Sequence, residues 1–167
     1  SGTNTTRFFE FQFETPSIPW NESEAAVDVK YYLFNGAELA KLEPMMWAGY
    51  EDNCIIYIEY TPNEHAAHWY GGEWLPLEYY ELGVDHLIPL LKNDTVSHVD
   101  QSWGRYSGCV FDTAYSLSWF AEDADGKFGE WNYIEFTPIR TEGEGYNMSE
   151  PFKFWENPHQ NSTFMVL

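Results

Sequence analysis

The stretch CIIYIEYTPN at residues 54–63 decides how this chain folds. Cys54, Ile56, Ile58 and Tyr60 occupy alternate positions, and Thr61, Pro62 and Asn63 end the run. Successive side chains of a strand point to opposite faces, so a period of two in β-branched and aromatic residues predicts a strand with one apolar face. The same period recurs upstream, where Val27, Val29, Tyr31 and Leu33 alternate with Asp28, Lys30 and Tyr32. Downstream, Cys109, Phe111, Thr113, Tyr115, Leu117 and Trp119 predict one long strand whose other face carries Asp112, Ser116 and Ser118. The turn residues Asp123, Ala124, Asp125 and Gly126 then lead into Trp131–Thr137, which predicts a hairpin with an Asp-Gly turn. Near the start, Phe9, Phe11 and Phe13 alternate with Glu10, Gln12 and Glu14; Phe152, Phe154 and residues 163–167 supply late strand material.

Helical signal is sparse. Ala37–Leu42, closed by Pro44, and Val84–Leu91, interrupted by Pro89, allow at most one or two short helices. Short strands separated by turn residues predict an all-β, mainly antiparallel fold of the β-sandwich or jelly-roll kind. The 167 residues carry no internal repeat, low-complexity tract or linker, so residues 1–167 are read as one domain, with residues 1–14 available as an exchanged N-terminal strand.

Composition limits the partners. With 27 acidic against 8 basic residues the formal charge is −19, which repels both a phosphate backbone and an anionic membrane surface. Nucleic-acid binding is excluded on that ground, and no apolar run approaches the ~20 residues that would insert in a bilayer. Disorder is excluded as well, because acidic disordered chains are poor in aromatics and this one has 8 Trp, 12 Tyr and 12 Phe.

Asn-x-Ser/Thr sequons point to the compartment. They occur at Asn4, Asn21, Asn93, Asn147 and Asn161, whereas 10 Asn and 20 Ser or Thr among 167 residues give roughly one by chance. The excess predicts an N-glycosylated protein of the extracellular space or cell surface. The chain opens at Ser1 without a basic or apolar leader, so any targeting peptide is expected to be removed or not included. Cys54 and Cys109 suit an oxidising compartment: a disulfide between them would contribute about 4 kcal/mol if their strands are neighbours. Two buried free thiols are the alternative.

Candidate sites follow from side-chain chemistry. Between two strands, residues 65–74 hold Trp69, Tyr70 and Trp74, with Tyr79 and Tyr80 close by. Flat aromatic faces beside acidic groups suit the stacking of pyranose rings, and large aromatics equally fill a sandwich core. Asp123, Asp125 and Glu130 resemble a fragment of a calcium loop. The EF-hand pattern itself fails, because aligning Gly126 on its glycine puts Ala121 at the first ligand position and Asn132 at the last. Calcium held by carboxylates, between subunits for example, is the one cofactor considered. His65 and His68 lack the spacing of a helical zinc motif.

Two short pieces, residues 76–80 (PLEYY) and 141–146 (TEGEGY), are similar to the surroundings of the acid pair in small jelly-roll xylanases, a family of retaining glycoside hydrolases. That resemblance implies Glu78 as nucleophile and Glu142 or Glu144 as acid/base, with carboxyls about 5–5.5 Å apart. No phosphate loop, nucleophile elbow or Ser/Cys-His signature occurs.

The N-terminal strand organises the leading expectation. It is followed by Pro16, Ser17, Ile18 and Pro19, a stiff extended hinge, so it can leave its own domain and complete a neighbour's sheet, with Phe9, Phe11 and Phe13 filling pockets. Such a contact is head-to-tail and propagates into a fibre. The expected function is therefore a non-enzymatic, secreted structural subunit of a filament, tube or surface layer, whose partners are copies of itself. Second comes a carbohydrate-binding module that uses Trp69, Tyr70 and Trp74 on glycans; third comes the jelly-roll glycoside hydrolase.

Overall fold

The computed structural model describes residues 18–93, 103–140, 143, 145–150 and 162–166. The fold is mostly β. In chain order the elements are β1 (Val27–Asn35), α1 (Gly36–Leu42), α2 (Pro44–Trp47), β2 (Cys54–Pro62), β3 (His68–Trp74), α3 (Pro76–Leu82), α4 (Val84–Asn93), β4 (Trp103–Cys109), β5 (Tyr115–Glu122), β6 (Asn132–Phe136) and β7 (Ser162–Val166). Two antiparallel three-stranded sheets result, β1-β2-β4 and β3-β5-β6, and the first is extended by β7, which lies parallel to β4.

The alternation read from residues 54–63 becomes two different apolar layers. One face of β2 carries Cys54, Ile56, Ile58 and Tyr60 into a core shared by both sheets, together with Leu33 of β1, Trp69 of β3, and Tyr115, Leu117 and Ala121 of β5. The stacked rings of Tyr60 and Trp69, 4.2 Å apart, cross from one sheet to the other. The opposite face of β2 offers Ile55 and Tyr57, which pack with Phe34, Tyr106, Leu39 of α1 and Trp47 of α2. β2 is thus apolar on both faces because each face has its own cover. The outer face of β3-β5 carries Tyr70 and Phe120 against Leu91 and Ile88 of α4.

Among the described residues four short helices are present where the sequence predicted one or two. The two unexpected ones, α2 and α3, begin at Pro44 and Pro76. Pro44 is expected to close α1, but at the first helical position a proline's missing N–H is no loss and its fixed φ suits the helix. Pro89 lies inside α4 on an exposed position and does not end it.

Two strand assignments are corrected. The single long strand over 109–119 is two strands, β4 and β5, joined at Val110–Ala114; Asp112 adopts φ 57° there, a left-handed conformation that turns the chain out of the extended path. The residues at 109, 111 and 113 keep an apolar alternation because Phe111 is buried at the turn, not because the strand continues. Conversely, residues 68–74 form β3 rather than a connection. A Cβ on Gly71 would run into the Tyr60 ring, and one on Gly72 would come 2.7 Å from Leu91 Cδ2. Both are glycines of close approach within a strand. The Asp-Gly hairpin forms as expected: Gly126 has φ 80°, and β5 pairs with β6 from Tyr115↔Phe136 to Trp119↔Asn132. Among the described residues no helix is long and apolar enough to cross a membrane.

Candidate functional site

Where β3 leaves its sheet for α3, a cleft of about 420 Å³ opens, lined by Glu73, Trp74, Leu75, Glu78, Thr113 and Tyr115. The alternation of β3 sends Trp69, Gly71 and Glu73 inward, so a carboxylate enters the space between the sheets. It is not left unpaired. From β4 in the opposite sheet, Arg105 Nε donates to Glu73 Oε1 at 3.1 Å, and Arg105 Nη2 forms a second ionic contact with Glu73 Oε2. Ser107 Oγ adds a hydrogen bond to Oε1 at 3.4 Å. Both charged side chains are only 2% exposed. A bidentate fork of this kind compensates the desolvation of two charges that would be prohibitive singly.

The remaining walls are held just as firmly. Trp74 Nε1 donates to Ser118 Oγ at 3.0 Å, and Ser116 Oγ donates to the Trp74 carbonyl at 3.1 Å. The Tyr115 hydroxyl accepts the Val110 N–H at 3.0 Å, while burial pushes that phenol's pKa up. Glu78 sits at the third position of α3, where its carboxylate accepts the Leu75 N–H at 3.1 Å and caps the helix. Its side chain is at the exposed mouth of the cleft.

The sequence-predicted residues are distributed unevenly around this cleft. Trp74 and Glu78 line it. Trp69 does not: it is 1% exposed and stacked on Tyr60 in the core, and Tyr70 is buried under α4. The expectation that Trp69 and Tyr70 present open faces to a sugar is therefore corrected in favour of the alternative, that they fill the core. Glu78 lies on a helix and supports its N-terminus; its proposed partners Glu142 and Glu144 lie outside the described residues, as do Phe9, Phe11 and Phe13 of the N-terminal strand and the sequons Asn4 and Asn161. Asn21, Asn93 and Asn147 are all exposed. Asn147 also clasps the loop after β6, donating to the Thr137 carbonyl at 2.8 Å and accepting from the Ile139 N–H at 3.2 Å. A glycosylated amide keeps one N–H, so the clasp and a glycan are compatible.

Asp123, Asp125 and Glu130 belong to the hairpin turn and its exit. Asp123 accepts the backbone N–H groups of Asp125 and Lys127, each at 2.9 Å, and its pKa is lowered chiefly by a hydrogen bond from Ser23 with these N–H groups assisting. Glu22, Glu24 and His65 face it across an open depression, with His65 Nε2 3.6 Å from Glu24 and 3.5 Å from Glu64. Among the described residues no three His, Cys, Asp or Glu side chains are placed to hold a metal ion together.

Cys54 and Cys109 face each other as direct cross-strand partners of β2 and β4, both 0% exposed. Their thiols are free, and burial raises each pKa to about 12. Glu73, Arg105, Ser107, Thr113 and Tyr115 escaped the sequence reading as site residues. One signal was present for Arg105: it is the only charged residue in 101–111, QSWGRYSGCVF, which marks a charge inside a buried strand. Comparison of the chain with protein-family models, with curated proteins and with solved structures finds no match in any of the three, so the site is read from its own geometry.

Proposed function

We propose that this protein is a secreted, N-glycosylated β-sandwich that serves as a structural subunit, joined to copies of itself by exchange of the apolar N-terminal strand. One observation carries the reading: at the flank where Tyr31 of β1 meets Phe136 of β6 the shared core is incompletely sealed. Tyr31 is 38% exposed although its ring packs on Phe136 at 5.5 Å, and Val29 and Ile134, which point into the same core, are only half-buried. Among the described residues β1 and β6 are each paired to a strand on one side only. An edge with apolar side chains still partly wet invites an added strand, and alternating phenylalanines supply such a strand. The exposed positions of Asn21, Asn93 and Asn147 and the facing free thiols of Cys54 and Cys109 fit an extracellular life, in which oxidation would join the two.

Removing residues 1–14 tests the assembly. The native protein is expected to sediment as concentration-dependent oligomers or fibres, visible by electron microscopy. The truncated protein is expected to be monomeric and less stable, and to recover on addition of a peptide of residues 1–14. A monomer at every concentration that keeps its stability after truncation would overturn the proposal.

A second reading, glycan binding, is favoured by the cleft at Trp74. The exposed Glu78 and Leu75 stand at its mouth, with Thr113 and Tyr115 in its lining.

A further inference from the structure

On β6, Tyr133 and Glu135 stand two positions apart and so share one face of the strand, the face that α3 packs on. Tyr79 of α3 stacks on Tyr133 with ring centroids 4.0 Å apart, and Trp131 Nε1 donates to the Tyr79 hydroxyl at 3.0 Å. This buttress holds the helix against the strand and sets the next residue, Tyr80, on the rim. Tyr80 is 66% exposed, its ring lies edge-on to Tyr79 and Tyr133, and its hydroxyl donates to Glu135 Oε1 at 3.2 Å. Tyr133 donates to the same oxygen at 2.7 Å. Three positions back on α3, the exposed Leu77 neighbours Tyr80 on the helix surface. Open ring and exposed carboxylate are thus joined by a hydrogen bond on one surface, where a single ligand can touch both.

The hydrogen bonds decide what this surface can receive. Both phenol hydrogens are committed to Glu135, so the groups left to a ligand are acceptors: Glu135 Oε2, the remaining lone pair of Oε1 and the two phenol oxygens. Burial first, then the hydrogen bond to Glu135, raises the Tyr133 pKa, so that phenol keeps its proton at neutral pH and stays a donor. Glu135 is not neutralised: the ion pairs among the described residues join His65, Lys92 and Arg105 to other carboxylates. A negative, acceptor-only surface beside an open ring is complementary to a flat, positively charged group that only donates. The arginine guanidinium has these properties: five N–H donors, no acceptor, a fixed charge and a plane that stacks on aromatic rings. A sugar hydroxyl also seeks acceptors, but it brings lone pairs for which Tyr80 and Tyr133 have no hydrogen left. The chain's charge of −19 adds long-range attraction for a basic partner.

We propose that the surface formed by Leu77, Tyr80, Tyr133 and Glu135 docks an exposed arginine of a partner protein, its guanidinium stacked on Tyr80 and hydrogen-bonded to Glu135, its methylene stem along Leu77. The site makes no demand on strand exchange or on glycan binding.

The test is titration of the full chain with blocked glycine pentapeptides that carry one central arginine or citrulline, followed by NMR chemical shifts. Salt is held at about 0.15 M, where charge attraction is screened beyond ~8 Å. The arginine peptide is expected to bind with a dissociation constant on the order of millimolar. The citrulline peptide, which keeps the shape and loses the charge, is expected to bind roughly tenfold more weakly. Glu135→Gln is expected to weaken arginine binding roughly fivefold and Tyr80→Ala roughly threefold, whereas Tyr80→Phe, which keeps the ring, retains most of it. Both side chains are exposed, so circular dichroism is expected to stay unchanged in all three variants. Glu38→Gln removes an equal charge from an exposed position on α1 and is expected to leave binding as it was. Equal loss in Glu38→Gln and Glu135→Gln would reduce the attraction to diffuse charge and overturn the proposal. Equal binding of the two peptides would overturn it too, as would binding of neutral hexoses in place of the arginine peptide with loss in Tyr80→Ala, the mark of a sugar platform. So would the absence of saturable arginine-peptide binding up to about 50 mM.

Discussion

Reduction of the disulfide that the proposed secreted state would form between the facing thiols of Cys54 and Cys109 is the perturbation whose size can be worked most directly. The two residues sit opposite each other in the β2-β4 register, and directly opposed antiparallel residues have Cα atoms about 4.5–5.5 Å apart, inside the span a disulfide bridges. They are the only two cysteines of the chain and lie 55 positions apart. For a loop of that length the chain-entropy relation gives about 14 cal/mol/K, or about 4 kcal/mol at 25 °C. A 167-residue domain unfolds with an entropy of about 0.35 kcal/mol/K, so reduction is expected to lower the melting temperature by about 12 °C. The assay is calorimetry of protein made in an oxidising secretory host, with and without reductant, alongside mass spectrometry after alkylation in denaturant. Burial adds a kinetic signature. With both thiols raised to about 12, roughly one in ten thousand is ionised at pH 8, so folded reduced protein is expected to resist oxidised glutathione and to form the bond only while unfolded. Quantitative alkylation of both cysteines in the unreduced secreted protein, or a melting temperature indifferent to reductant, would refute the reasoning.

Arg105→Leu strands the Glu73 carboxylate between the sheets and is expected to cost about 3–5 kcal/mol, a fall of roughly 9–14 °C in the melt; Arg105→Leu with Glu73→Leu should recover most of it, which a double-mutant cycle measures. Gly71→Ala pushes a methyl group into the Tyr60 ring and is expected to cost about 1–3 kcal/mol by denaturant unfolding. Alkaline pH is expected to unfold the protein: burial first of all raises the phenols of Tyr57, Tyr70 and Tyr106, Tyr70 to about 12, so their contribution is complete below pH ~10, the value in the unfolded chain, and is lost as pH climbs through the folded values. Absorbance at 295 nm against pH should show these phenols ionising together with loss of structure, and free titration near pH ~10 in the folded state would contradict it. Finally, subunits of charge −19 repel one another, so fibre formation is expected to increase with salt over the range in which the Debye length falls from ~30 Å to ~8 Å; assembly indifferent to salt and divalent cations would count against strand exchange.

The legible parts of the fold are those where one short segment carries its own instruction. β1, β2 and the Asp-Gly hairpin follow from alternation and turn chemistry within a dozen residues each, and their positions match the reading closely. The misread parts are those whose meaning depends on a distant neighbour. Residues 65–74 read only as a stretch between two strands until Tyr60 and Leu91 are seen against Gly71 and Gly72. Pro44 reads as a stop until the helix it begins is visible. β4 lacks an apolar alternation because its inward positions are Arg105 and Ser107, whose partner Glu73 comes from the other sheet. Of the cleft, Trp74 and Glu78 were legible as an aromatic and a carboxylate, whereas Glu73, Thr113 and Tyr115 were not, since nothing local distinguishes them from strand residues.

By itself the sequence determined the strand-rich class, the acidic surface, the sequons and the two cysteines, all properties of single residues or of a period of two. Only the tertiary structure decided that Cys54 faces Cys109, that Trp69 is core while Trp74 lines a cleft, and that an ion pair holds two sheets together at its back. Alternation tells which side chains share a face, but burial and partnership are set by what packs on that face, and that comes from residues tens of positions away.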